Sequence, residues 1–242
     1  FQDMVKKAFL DIDLTSKLEL TSANSINVAR WLPQMFYFMF AYKQLKTLNK
    51  PIVFSVPSGN FGNICAGMIA QKLGFPIEHF IASNNTNNVV TRFLETDTYD
   101  PQPSIQTISN AMDVGNPSNF IRIQALHNND INTLKSNLSS YSFSDDETKT
   151  ALDQIYSNSG YIADPHGAVG YLGLKDFLKN TTDDYQGLFL ETAHPIKFVD
   201  TVEATLKTTV EIPKRLESIL DREKSSIPIS RYDELKSFLL KR

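Results

Sequence analysis

Cysteine occurs once in the 242 residues, as Cys65. One thiol excludes an internal disulfide framework and any cysteine-rich metal site, and it suits a reducing cytoplasm. Histidine is nearly as scarce. His79, His127, His166 and His194 lie far apart, and no HExxH or similar metal-ligand spacing joins them. Long apolar runs are missing too: the most apolar stretch, residues 31–42, is too short to cross a bilayer by itself and has polar flanks. Charge is close to balanced at −3, and no basic run interleaves with aromatics, so nothing argues for a nucleic-acid partner. There is no GxSxG elbow, no Walker A loop and no GxGxxG. The carboxylates are scattered and form no evident acid–base pair. No signal peptide opens the chain. It begins at Phe1 inside an amphipathic pattern, without an initiating methionine or a helix cap, as though mid-domain.

What is present is a globular composition, 41% hydrophobic and 21% charged, sufficient for one sizeable domain or one and a part. Residues 51–74 organise it. Ile52-Val53-Phe54-Ser55-Val56 has the β-branched and aromatic character of a strand buried on both faces. It breaks at Pro57-Ser58-Gly59, and from Asn63 the apolar spacing turns helical until a glycine stop at Gly74. Strand, glycine loop and helix together aim free backbone N–H groups and the positive end of a helix dipole at one point. The fitting occupant is an anion, most often a phosphate. The competing reading is an ordinary turn in which Gly59 and Gly62 serve positive φ.

Around this unit the spacing predicts a long buried helix over 21–49, capped among Thr21 to Ser25 and kinked at Pro33, with Arg30 and Gln34 as polar exceptions. A second strand over 77–82, a helix through about residue 95 and a third buried strand at 188–190 repeat the βα alternation of an open parallel sheet. Residues 128–146 read as a polar, irregular surface excursion. Helices follow near 146–157 and from Asp164-Pro165-His166, and two or three surface helices with breaks at Pro213 and Pro228 close the chain. The nucleophile of any chemistry is not evident from these residues. His79 reads as structural, Cys65 as a small buried hydrophobe, and His166 and His194 as either site or packing residues.

Five stretches carry a family resemblance: Val56-Pro57-Ser58-Gly59-Asn60-Phe61-Gly62-Asn63, Asn24-Ser25-Ile26-Asn27-Val28-Ala29-Arg30, Ala111-Met112-Asp113 with Pro117-Ser118-Asn119-Phe120, Asp164-Pro165-His166-Gly167-Ala168-Val169, and Thr192-Ala193-His194-Pro195-Ile196-Lys197-Phe198. In this order they resemble the threonine synthases, which are fold-type-II pyridoxal-phosphate enzymes. The resemblance implies an α/β fold, an open and mostly parallel twisted sheet with helices on both faces, here an incomplete large domain. It implies conversion of O-phospho-L-homoserine and water to L-threonine and phosphate, with pyridoxal 5′-phosphate as cofactor and a cytoplasmic setting. The backbone of Gly59, Asn60, Phe61, Gly62 and Asn63, with Ser58 beside it, would hold the cofactor phosphate, and Thr192 would meet the pyridine nitrogen. Asn24, Ser25, Asn27 and Arg30 are candidates for the substrate side. In the family, the lysine that carries the cofactor precedes the glycine loop, in a portion this chain lacks, and Lys197 more naturally packs or caps locally. The expected organisation is therefore the end of a preceding small domain over 1–20 and a cofactor-phosphate-binding domain with C-terminal helices over 21–242, inactive alone. Two alternatives stand beside it: a non-catalytic phosphate-ligand module or scaffold subunit, and another fold-type-II enzyme such as a dehydratase.

Overall fold

A computed structural model of the chain describes residues 2–23, 27–220, 222–223 and 225–241. The chain divides into two compact units, Val28–Glu211 and a second assembled from Phe1–Asn27 with Ile212–Arg242. The sequence predicts a boundary at residue 20 with the C-terminal helices joined to residues 21–242, whereas in the structure those helices group with the N-terminal residues.

In the smaller unit, helices α1 (Gln2–Leu10) and α2 (Ile12–Thr15) meet residues near the C-terminus. The Tyr232 hydroxyl donates to Asp11 at 2.6 Å, and the Lys236 ammonium bridges Asp11 and Asp13 at 2.9 and 2.8 Å. The hydroxyl and then the ammonium hold the Asp11 carboxyl down at about 2.

The larger unit runs α3 (Trp31–Leu45), β1 (Ile52–Pro57), α4 (Gly62–Lys72), β2 (His79–Asn84), α5 (Val89–Thr96), α6 (Phe120–Leu126), α7 (Ile131–Asn137), β3 (Leu138–Ser142), α8 (Asp145–Ser159), α9 (Pro165–Lys179), β4 (Gln186–Phe189) and α10 (Val199–Leu206). In the smaller unit, α11 (Lys214–Leu220) and α12 (Tyr232–Leu240) follow. The four strands form one parallel sheet in the order β3-β2-β1-β4, with Val53 opposite His79 and Gly187. Side chains alternate across it. Phe54, Val56 and Phe80 pack with Phe38 of α3 and with Ile64 and Met68 of α4, whereas Val53 and Ile81 pack with Leu174 of α9. Helices cover both faces, as the fold reading expected.

Three expectations are corrected. Residues 128–146 are not an irregular excursion: they hold α7 and β3, and Leu134 and Leu138 are buried in the main core. The polar residues that suggested a surface loop line an edge strand, where Ser139 and Ser140 find partners in His79, Thr91 and Asn84. Pro33 does not kink a long helix, because α3 starts only at Trp31 and a proline in the first turn needs no N–H. Nor is α3 buried all round. Met35 and Phe38 are buried, while Leu32, Phe36 and Phe40, at helical spacing, are 58%, 52% and 63% exposed. The capping residues proposed at 24 and 25 lie outside the described residues.

Candidate active site

The sheet order places the chain reversal between β1 and β4: from β1 the chain winds outward through β2 to β3, then returns to add β4 on the other side. Ligands of open α/β sheets bind outside the carboxyl ends of strands at such a switch point. The glycine loop leaves the carboxyl end of β1, and Thr192 lies three residues past the carboxyl end of β4. The two strands run parallel with Ser55 opposite Phe189, so both features share one edge of the sheet.

The loop is held from behind. The Ser58 amide donates to Ser83 O at 2.9 Å, its hydroxyl donates to Val56 O at 2.8 Å, and the Asn84 side-chain amide donates to Ser58 O at 2.6 Å. Ser58 is thus a buttress that turns its own donors inward. Asn60 Oδ1 accepts from the Ser118 amide and hydroxyl at 2.6 and 3.0 Å, and Asn119 donates to Asn60 O at 2.9 Å. The Asn63 side-chain amide closes the loop onto Pro57 O at 2.8 Å, and its Oδ1 accepts the Ile64 amide at 2.9 Å. The amides of Gly59, Phe61, Gly62 and Asn63, by contrast, donate to no described residue. They stand at the start of an eleven-residue helix, whose dipole favours an anion there.

The glycines do not serve positive φ, as the competing sequence reading had it. The left-handed residue is Phe61, at φ 60°, with its ring buried edge-on against Phe120 at 5.7 Å. A bulky side chain there costs of order 1–3 kcal/mol, sustained by the packing around it. Gly59 is required by close approach instead: a Cβ would lie 2.6 Å from Met112 Cα and 2.9 Å from Ala111 O. The turn at Asn110–Met112 that presses on Gly59 is fixed by a buried network the sequence reading missed. Asn85 donates to Thr107 and Asp113 at 2.8 and 2.9 Å, and Asp113 also accepts from the Thr107 amide and hydroxyl. The run of polar residues after β2 was the available signal.

Thr192 and Ala111 line the same cavity, of about 430 Å³, together with Asn110, His166, Ala193 and Lys197. Thr192 is exposed and also lines a second cavity of about 610 Å³ with Tyr161, Glu191, His194 and Glu211. His166 joins the pieces. Its Nε2 accepts the Ala111 amide at 3.2 Å, so its proton sits on Nδ1, which donates to Asp164 Oδ1 at 2.5 Å. Asp164 in turn caps α9, accepting the His166 amide at 2.8 Å, and its own amide donates to Glu191 Oε1 at 2.7 Å. Burial first, and then the Asp164 charge, push the Glu191 carboxyl up to about 8.

The remaining candidates fall elsewhere. Asn27 donates to Ser22 O at 3.2 Å within the smaller unit, Arg30 stands just ahead of α3 in the larger one, and Asn24 and Ser25 lie outside the described residues. His79 stacks on Phe177 at 5.0 Å and bonds Ser139, and His194 accepts the amide of Ile196. Cys65 is fully buried, and burial pushes its thiol up to about 12. Among the described residues no helix is long and apolar enough to cross a membrane, and no group of three metal-ligating side chains gathers.

Comparison with known proteins identifies the family. Residues 20–186 match the family model for pyridoxal-phosphate dependent enzymes, and residues 167–239 match that for the C-terminal part of threonine synthase. A threonine synthase of Haemophilus influenzae is 41% identical over 99% of this chain and 56% of its own length. The crystal structure of threonine synthase from Escherichia coli superposes with a TM-score of 0.92 at 40% identity, covering 99% of this chain and 55% of that one. A pyridoxal-phosphate-bound threonine synthase from Brucella melitensis gives 0.84 at 30% identity, over 98% and 56%. The chain spans about half the length of the curated relatives it matches. With a family match over residues 20–186, more than half of its length, the chain belongs to the pyridoxal-phosphate dependent enzymes, and threonine synthases are among the relatives it resembles.

Proposed function

We propose that this chain is part of a threonine synthase, a lyase that binds pyridoxal 5′-phosphate and converts O-phospho-L-homoserine and water to L-threonine and phosphate. The observation that carries the reading is the pairing, on one edge of the sheet, of uncommitted loop amides at the start of α4 with Thr192 beyond β4. The residues fit the group. Four amides with no acceptor among the described residues, at a helix N-terminus where Gly59 leaves the backbone bare, suit a phosphate dianion. The cofactor, when bound, supplies an electron sink for the carbons of the amino-acid substrate.

The chain's own residues do the rest. The amides of Gly59, Asn60, Phe61, Gly62 and Asn63 hold the phosphate, with Ser58 fixing their backbone. The Thr192 hydroxyl would meet the pyridine nitrogen of the bound cofactor; being neutral, it would not oblige that nitrogen to keep a proton. Of the candidates for the substrate side, Arg30, just ahead of α3 in the larger unit, is the cation that a second phosphate calls for. Residues 28–211 form the cofactor-holding body, and the buried single thiol suits the cytoplasm.

The test uses the full-length protein containing this chain. Supplied with pyridoxal phosphate, it should release phosphate from O-phosphohomoserine and form threonine, and a Gly59→Asp variant should fold but fail to retain the cofactor's visible absorbance. Cofactor-loaded protein that releases no phosphate from this substrate overturns the assignment.

A further inference from the structure

We propose that Asp164 and Glu191 share a single proton, and that this pair is a positioning device holding both His166 and the strand end that carries Thr192 at the cofactor-facing edge.

Two oxygens raise the question. Asp164 Oδ2 and Glu191 Oε2 are both buried and have no hydrogen-bond partner. Every other polar atom of the two carboxyls is used: Asp164 Oδ1 accepts twice from His166, and Glu191 Oε1 accepts the Asp164 amide. Asp164 is completely buried. Two ionised carboxylates in contact there would repel each other without water to screen them. No cation relieves them. Among the described residues no Lys or Arg nitrogen comes within 4.0 Å of either group, and the one ionisable nitrogen that does is His166 Nδ1. One proton on Glu191 Oε2, donated to Asp164 Oδ2, satisfies both orphans and removes one of the two charges. The Asp164 amide on Glu191 Oε1 holds the two residues against each other, and burial with the Asp164 charge lifts the Glu191 carboxyl well above the usual carboxylate range, up to about 8. The other titratable groups facing the pair are Tyr161, His194, Lys197 and Glu211, around the same cavity, and the Tyr161 hydroxyl is itself pushed up by burial and by Glu191 and Asp164.

The fold reserves room for this contact. A Cβ on Gly167, in the first turn of α9, would collide with Glu191 Oε2, so a glycine there is what lets β4's trailing residue reach Asp164. From Asp164 the link passes through His166 to the Ala111 amide, in the turn that presses on Gly59. Pulling Glu191 out of the pair would loosen the segment bearing Thr192 and the support of the phosphate loop together. That consequence rests on the cofactor reading above; the shared proton does not.

The experiment uses the full-length protein, first without cofactor. Infrared spectra at pH 7 should contain the C=O stretch of a buried carboxylic acid that titrates near pH 8, and Glu191→Gln should lack it. Asp164→Asn leaves Glu191 without its acidic neighbour, so there the stretch should vanish at a lower pH than in the wild type. A wild-type spectrum at pH 7 indistinguishable from that of Glu191→Gln overturns the shared proton. If Glu191→Gln fails to fold, the Asp164→Asn comparison decides alone. With pyridoxal phosphate bound, the cofactor's absorbance should shift with pH along the same titration in the wild type and lose that shift in Glu191→Gln. An absorbance equally pH-dependent in both proteins overturns the positioning role. Failure to bind the cofactor at all overturns the functional reading instead, and leaves the infrared result standing.

Discussion

Met112 and Ala111 occupy the space where a side chain at position 59 would go. Gly59→Ala therefore forces a backbone shift of the glycine loop or of the turn behind it, at about 1–3 kcal/mol. Cofactor affinity, measured by equilibrium titration of the full-length protein, should fall at least tenfold while the melting temperature drops by only a few degrees. Cys65 makes an opposite prediction. Buried in the α4 core with its thiol pushed up to about 12, it should resist alkylation in the native state and react at once in denaturant, by mass spectrometry. Glu191 sets a pH dependence. Its carboxyl is raised from 4.5 to about 8, so the folded state keeps a proton that the unfolded state releases. The stability this proton confers is complete below about pH 4.5, drains away at up to about 1.4 kcal/mol per pH unit as the pH climbs through that window, and is gone above 8. Glu191→Gln should flatten the melting-temperature profile between pH 5 and 8; an unchanged slope would locate the dependence elsewhere.

Helix α9 owes its position to small residues. Its Gly173 lies so close to β2 and β1 that a Cβ would meet Ser83 Oγ at 1.9 Å, and Ser55 donates its hydroxyl to Gly170 O at 2.6 Å. The helix thereby lies across all four strands, and its N-terminus, with His166, reaches the carboxyl edge. Helix α8 is secured differently, by a capping box in which Ser144 and Glu147 satisfy each other's backbone amides. Ser144→Ala should cost about 1 kcal/mol in denaturant unfolding, with no effect on cofactor binding. Such a cap is readable from Ser-x-x-Glu spacing. The docking of α9 is not, because a glycine every third residue looks like a poor helix until a sheet is laid against it.

For the molecule as a whole, the strand order decides where chemistry is possible. With β4 returned to the side of β1 away from β2, the carboxyl ends of β1 and β4 lie side by side, which brings the glycine loop and Thr192 to one edge of the sheet. These 242 residues by themselves should release no phosphate from O-phosphohomoserine, since no lysine stands ahead of the glycine loop in a family motif position. Release above background by the purified chain, abolished by Gly59→Asp, would show that a lysine within it suffices.

Local pattern was enough for β1, its glycine loop and α4, because a both-faces-buried apolar run, two glycines and a helical period are properties of neighbouring residues. It was enough as well for the Asp164 cap, the break at Gly74 and the family itself, whose motifs are contiguous. Tertiary structure decided what depends on residues far apart in the chain. The polar stretch 138–142 became an edge strand only because β2 offered it a ladder and hydroxyl partners. Phe61 rather than a glycine took the left-handed position because Phe120, far along the chain, fills the space around its ring. The scattered carboxylates Asp164 and Glu191, 27 positions apart, became a buried pair because α9 and β4 converge on the same edge. Sequence spacing carries no information about that distance; only the parallel register of β4 against β1 sets it.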